Sequence, residues 1–202
     1  MTVLQREFYS RDTQLVAREL LGTRLVRRIG RSRMSGMILE TEAYLGADDS
    51  ASHAHRGPTP RNAVMFGPAG FAYVYFVYGM HYMLNLVTET AGRPGAVLIR
   101  ALVPLEGESR MIARRRIQGK QLTNGPAKLC QAMDIDNSLS GWDLTRGRRL
   151  WLELHHLVAP EDICSGPRVG IAYASAADRE ACLRFWINSA KAGLSAKRRT
   201  PI

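Results

Sequence analysis

The residues best equipped for chemistry lie between positions 40 and 85. Glu40 and Glu42 belong to a segment, Met37 to Ala43, whose alternation reads as a strand. Side chains two positions apart on a strand share a face. Both carboxylates would then point one way, with Thr41 pointing the other and Tyr44 just beyond. A carboxylate so placed can take a proton from water or stabilise positive charge developing in a transition state. Strand geometry leaves Glu40 and Glu42 as rivals for that task. Either is equally suited to pairing with an arginine or a backbone group. Downstream, His53 and His55 fall in a polar stretch, and Tyr73, Tyr75 and Tyr78 in an aromatic one. Such rings either stack on a flat ligand or fill a sheet core. Asn85, in an apolar strand, either lines a pocket or satisfies a backbone group.

These residues need elements to hold them. Phe8 to Leu21 reads as a helix with Leu15, Val16 and Leu20 as its apolar stripe, capped by Asp12 or Ser10 and ended by Gly22. A strand over Leu25 to Ile29 and an arginine-rich turn, Gly30 to Ser35, lead into the glutamate strand. Gly46 to Pro68 reads as a long irregular loop, of the length that tends to be functional or disordered. Phe71 to Tyr78 and His81 to Thr88 form a hairpin with Gly79 at its turn. Alternation puts Tyr73, Tyr75 and Val77 on one face, and Phe76 and Tyr78 on the other. Further strands are expected over Ala96 to Leu102, Leu150 to Leu154, Val169 to Ala172 and Leu183 to Ile187. Helices are expected over Glu106 to Gln118 and Gly125 to Met133, with Pro126 in the first turn. Glu161 to Arg168 reads as irregular. The whole is one mixed domain over residues 1–196, with 197–202 as a frayed tail.

Composition bounds the function. The chain has 202 residues, enough for one domain with a proper core. Its 28 basic residues against 18 acidic ones give a net charge of +10, and all but four of the basic residues are arginine. Arginine's planar fork suits phosphate oxygens, and excess positive charge favours polyanions. A solvated face is the plainer reading of the same charge. Cys130, Cys164 and Cys182 form no disulfide framework, which points to a reducing compartment. Met1 to Ser10 carries Arg6 and Glu7 and no apolar export segment, and no run is long and apolar enough for a membrane span. A cytoplasmic protein without membrane association is expected.

Several known devices are absent from the sequence. It has no Walker or Rossmann glycine spacing, no His-Glu-x-x-His pair and no zinc-deaminase signature. Cys130, Cys164, His53 and His55 match the spacing of no zinc module, and no iron–sulfur spacing or helix-hairpin-helix glycine pair occurs.

An ordered set of segments carries a resemblance instead. These are Glu-Thr-Glu-Ala-Tyr-Leu-Gly at 40–46, His53, Thr-Pro-Arg-Asn at 59–62, Met-Phe at 65–66, and Tyr-Val-Tyr-Phe-Val-Tyr-Gly-Met at 73–80, followed by Asn85. Leu98 to Leu102, Pro104 to Gly107, Asn124 to Cys130, Arg168 to Ile171 and Arg184 to Trp186 continue it. Together they resemble the alkyladenine (3-methyladenine) DNA glycosylase family of mammalian type, in a bacterial member. The resemblance implies a mixed α+β domain with a curved antiparallel sheet surrounded by helices, like the C-terminal domain of formyltransferases, and a protruding β-hairpin that intercalates into DNA. It implies a monofunctional enzyme that flips alkylated or deaminated purines out of double-stranded DNA and hydrolyses the N-glycosidic bond with water. An abasic site remains for base excision repair. No cofactor, metal or lyase step is implied, and the enzyme would act as a monomer.

The same resemblance assigns roles. Glu42 matches the general base, which decides between it and Glu40. Arg100 matches the arginine near the catalytic water. Tyr44 and Tyr75 match the stacking pair, His53 a third wall, and Asn85 the group that discriminates against the amino group of guanine. A cationic purine would gain further from ring faces. Tyr78 matches the wedge that fills the vacated space, with Met80 beside it. His81 departs from the pattern, standing where relatives often carry another aromatic. The acidic pair Asp48 and Asp49 argues that the long loop is not uniformly a phosphate clamp. The rivals are a damaged-DNA binding protein without catalysis, a nucleoside hydrolase and a general nucleic-acid binding domain. The +10 charge and the Tyr78-Gly79-Met80 wedge give a nucleoside hydrolase no advantage, and a general binding domain needs neither paired glutamates nor a polar pocket.

Overall fold

The computed structural model describes residues 2–188, so the expected tail at 197–202 lies outside the described residues. Five helices and eight strands follow in chain order: α1 (Arg6–Tyr9), α2 (Thr13–Glu19), β1 (Arg24–Ile29), β2 (Ser32–Tyr44), β3 (Ala72–Val77), β4 (His81–Thr88), β5 (Gly95–Glu106), α3 (Glu108–Arg115), α4 (Pro126–Met133), β6 (Leu150–Glu153), β7 (Ile163–Gly166), α5 (Ala176–Glu180) and β8 (Arg184–Ile187). Short 3₁₀ turns punctuate the loops. This is an α+β domain whose curved antiparallel sheet is surrounded by helices. Strand order is β3-β4-β5-β2-β1-β6, with β8 also pairing β2 and β7 pairing β8.

β2 is the organising strand. Along one edge it pairs with β5 over most of its length. Along the other it pairs first with β1 and then, from Glu40 to Glu42, with β8. Both of its hydrogen-bonding edges are therefore used where the glutamates lie. The β2–β5 register steps three times: Leu105 is an extra residue on β5 near its end, and beside the glutamates Leu39 is an extra residue on β2 and Arg100 an extra residue on β5. A bulge re-aims the side chain it carries. Here it turns Arg100 toward the two glutamates, which share a face as the alternation requires. Thr41, on the opposite face, donates its hydroxyl to the Ala17 carbonyl at 2.8 Å and so pins α2 to β2.

Several expectations change. The single helix expected over Phe8 to Leu21 is two, because the Asp12 carboxylate accepts the Leu15 N–H at 2.9 Å and starts a new helix there. Leu15 then faces solvent, while Val16, Ala17 and Leu20 enter the core. The turn at Gly30 shrinks to two residues, and β2 begins at Ser32. β5 runs on to Glu106, since β2 supplies partners that far. Left-handed backbone at Gly107 and Arg116 confines α3 to Glu108–Arg115. Ile163–Gly166 is a strand rather than irregular chain, formed by pairing with β8. Val169 to Ala172 is not a strand: the Val169 N–H is taken by a side chain instead of a ladder.

The main core lies between this sheet and the helices, with Leu84, Leu86, Ile99, Leu129, Met133 and Phe185 fully buried. Truncating one of them to alanine would cost about 2–5 kcal/mol. A smaller cluster around Met65, Tyr73, Val87 and Ala96 packs under the loop that carries His53.

Candidate active site

Glu42 is fully buried. Its Oε2 lies 3.1 Å from Arg100 Nη1 and accepts the Tyr44 hydroxyl at 3.0 Å. Its Oε1 accepts the Val169 N–H at 2.7 Å. Burial pushes its pKa up, and Arg100, the Val169 N–H and Tyr44 pull back against that. Glu40 is partly exposed and occupied differently: Arg100 Nε donates to it at 2.9 Å and Arg184 at 3.4 Å. One guanidinium thus joins both carboxylates, and of the two only Glu42 is fully buried. That separates two residues which strand geometry left equivalent.

An aromatic recess opens beside this group, lined by Tyr44, His53, Met65, Tyr73, Tyr75, Asn85 and Tyr173 among others. His53 packs edge-on to Tyr75, with centroids 4.5 Å apart. Its Nδ1 lies 2.9 Å from the Tyr73 hydroxyl. Arg61 hydrogen-bonds to that phenol, and burial raises the Tyr73 pKa to about 12. The phenol therefore stays protonated. Burial, and then Arg61, lower the His53 pKa, so the ring is neutral near pH 7. Asn85 is buried and its Nδ2 donates to the Tyr73 carbonyl at 3.4 Å.

A wider groove continues outward past Arg56, Arg61, Val77, Tyr78, Met83, Arg100 and Gly170. At its edge stands the β3–β4 hairpin tip. Tyr78 and Gly79 both have positive φ, 55° and 68°, the sign pattern of the type I′ hairpin turn. Glycine adopts this freely; for tyrosine it is strained by an amount on the order of 1–3 kcal/mol. Tyr78 is 80% exposed and Met80 69%. The turn ends the alternation at Val77, so Tyr78 borders the same groove as Tyr75 and Val77. Phe76, on the other face, packs on Tyr82 at 4.9 Å. Sequence alternation placed Tyr78 with Phe76; the left-handed turn moves it across.

A model of the family described as methylpurine-DNA glycosylase (MPG) matches residues 7–191. The chain belongs to the methylpurine-DNA glycosylase family. Among its relatives, a candidate 3-methyladenine DNA glycosylase of Methanocella arvoryzae is 48% identical over 188 residues, covering 92% of this chain and 91% of the relative. One from Carboxydothermus hydrogenoformans is 46% identical over 190 residues, covering 94% and 97% respectively. A third, from Desulfitobacterium hafniense, is 46% identical, covering 95% and 98%. The family assignment connects the chain to DNA repair by base excision.

Seven of the eight residues singled out in the sequence fall on this glycosylase's recess, its flanking groove or the hairpin tip, and Glu42 lies buried behind Tyr44 and Arg100, which line them. Others escaped notice. Tyr173, one residue beyond the segment expected as a strand, borders both recess and groove and donates its hydroxyl to the Ala51 carbonyl at 2.9 Å. Buried Asn62 donates to the carbonyls of His53, at 2.7 Å, and Gly57, at 3.0 Å, and so fixes the loop that presents His53. Its place in Thr-Pro-Arg-Asn was the available signal. Gly46 is the other hidden requirement: with φ of +86°, a Cβ there would lie 2.0 Å from the Pro94 carbonyl oxygen.

The arginine excess is not all surface charge. Arg27 is buried and donates to the carbonyls of Asp134, Arg28 and Arg149. Arg115 holds the Gln121 and Leu122 carbonyls, and Arg33 pairs with Glu106 and Glu153. The fork that suits phosphate also suits convergent carbonyls and carboxylates. Among the described residues, no helix is long and apolar enough to cross a membrane.

Proposed function

We propose that this glycosylase flips an alkylated or deaminated purine out of double-stranded DNA, stacks it in the aromatic recess, and hydrolyses its N-glycosidic bond. Glu42 is the general base. It takes a proton from a water as the water oxygen bonds to the sugar anomeric carbon. The electrons of the broken bond leave with the purine, and the sugar keeps a hydroxyl at the abasic site. The negative carboxylate also favours the positive charge that develops on the sugar. The single observation carrying this reading is a fully buried carboxylate, anchored by Arg100 and Val169, at the side of an aromatic recess.

The other roles follow. Arg100 fixes the carboxylate and assists the water. Tyr44 and Tyr75 sandwich the base, His53 hydrogen-bonds to its edge, and Asn85 rejects guanine's amino group through an unmet contact. Tyr78 fills the vacated stack, flanked by Met80. The step is hydrolysis by water, with no lyase step. Every group named lies on one chain, so a monomer suffices. The protein works on cytoplasmic double-stranded DNA, with no cofactor in the reaction.

The test uses duplexes carrying a single hypoxanthine or 7-methylguanine. Abasic product from the parent and none from Glu42→Gln is the expected result. Equal product from both would remove Glu42 as base. Tight lesion binding without product from the parent would instead favour a damage-binding protein.

A further inference from the structure

Among the described residues, one ion pair has both side chains almost wholly covered: Arg168 and Asp49, 0% and 1% exposed. Burying such a pair carries a desolvation penalty that attraction does not automatically repay. Its placement gives the reason. Arg168 grips Asp49 with both terminal nitrogens, at 2.5 and 2.8 Å. The same Nη1 donates to the Ala43 carbonyl at 2.9 Å, between Glu42 and Tyr44, and the guanidinium lies 4.8 Å from the Tyr44 ring centroid. The next residue, Val169, supplies the N–H that binds Glu42. Asp49 meanwhile accepts from the Leu45 and Ala51 N–H groups, each at 3.0 Å, and so closes the turn leading to His53. Both terminal nitrogens of Arg168 are taken by Asp49 and backbone carbonyls and its side chain is fully covered, which makes it a group acting through its neighbours.

We infer that Arg168 and Asp49 are a positioning pair that holds the Glu42 carboxylate and the Tyr44 ring in fixed relation for the reaction. The inference rests on Glu42 acting as base. Lysine cannot replace the arginine, because the job uses a bidentate fork and a flat stacking surface together. Small displacements of reacting groups are costly: about 1 Å can lower a rate about a hundredfold. The Val169 N–H lowers the Glu42 pKa, so loosening that contact raises it.

The experiment compares the full chain with Arg168→Lys, Asp49→Asn and Glu42→Gln on a single-hypoxanthine duplex. Single-turnover rates at saturating enzyme are taken across pH, with affinity for an abasic-analogue duplex and thermal unfolding alongside. For Arg168→Lys the rate is expected to fall about 10- to 100-fold, with abasic-duplex affinity unchanged and the acid limb moved to higher pH. A purely structural pair would lower unfolding temperature while leaving the rate per folded molecule and the acid limb at parental values, and that result overturns the inference. Should Arg168→Lys not fold, Asp49→Asn carries the same comparison, since it keeps the side-chain volume. A parental rate in Glu42→Gln would strike the base assignment itself, a failure distinct from that of the pair.

Discussion

At the hairpin tip, Tyr78 and Met80 stand uncovered on a turn whose backbone is itself strained. Some residues away in the same sheet, Glu42 is covered completely and every contact given for its carboxylate comes from a different backbone segment or strand position: Arg100, Tyr44 and Val169. The tip has apolar surface with nothing folded against it, so its side chains add little to stability and are available to another molecule. The carboxylate has polar surface fully committed inside the protein, so its value lies in geometry fixed before substrate arrives. The first region is built to gain contacts on binding, and the second to lose none.

Glu42→Gln should break the comparison most visibly. The single-turnover excision rate is expected to drop by about 10²–10⁴, the usual worth of general acid–base catalysis. Abasic-duplex binding should survive, and Arg100 keeps Glu40 as a partner at 2.9 Å, so no cation is orphaned. Rate assays beside anisotropy titrations check both halves.

Tyr78→Ala should do the reverse. Unfolding free energy should stay within about 0.5 kcal/mol of the parent, because an exposed side chain is lost. Affinity for a lesion duplex should fall about tenfold, in keeping with about 1–3 kcal/mol for an aromatic contact to a base. If unfolding shifts and affinity does not, the tip is part of the fold rather than a wedge.

How readable each region was follows from the same contrast. The tip was legible because it is local: Tyr-Gly between two aromatic-rich strands names a hairpin, and only the handedness of Tyr78 was hidden. The sharing of a face by Glu40 and Glu42 was legible from strand periodicity. Their difference was not, since it comes from Val169, 127 positions away from Glu42, and from a bulge that aims Arg100. β7 escaped notice because Cys-Ser-Gly has little strand propensity and is held by pairing with β8. The Phe8 to Leu21 helix was overextended because one capping carboxylate outweighed a continuous apolar pattern. Tertiary contacts decided the glutamates and β7, whereas the helix start was a local cap whose residue, Asp12, was legible and whose effect of splitting the helix was not.

The pH dependence sharpens the carboxylate side. Burial raises the Glu42 pKa, so its base form disappears at a pH above the ordinary glutamate value of roughly 4.3. The acid limb of the single-turnover rate should sit above that value. Glu40 adds to the upward shift as a like charge and also shares Arg100. Glu40→Gln removes the repulsion and leaves Arg100 to Glu42 alone. Both effects favour the charged form of Glu42, so the limb should move to lower pH, with a smaller change in the plateau rate. A limb that moves upward would show that Glu40 supports Glu42 by orienting Arg100 rather than opposing it by charge.

The smallest effect expected belongs to Arg61, which lies between the hairpin tip and the aromatic recess. Its guanidinium lies 5.2 Å from the Tyr75 ring centroid and donates to the Phe76 carbonyl near the hairpin tip. It also bonds the Tyr73 phenol, which is hydrogen-bonded to His53 Nδ1 at 2.9 Å. Arg61→Ala removes a positive charge that lowers the His53 pKa, so that pKa should rise, read from the pH dependence of the imidazole C–H resonances. Burial, the larger cause, remains, so the value should stay below the ordinary histidine range near 6.5. His53 would then still be neutral at pH 7, and excision there should change little. A rise past the ordinary value would mean that the His53 loop had opened to water. In that event Arg61 holds the recess closed by its contacts, and its charge on His53 is secondary.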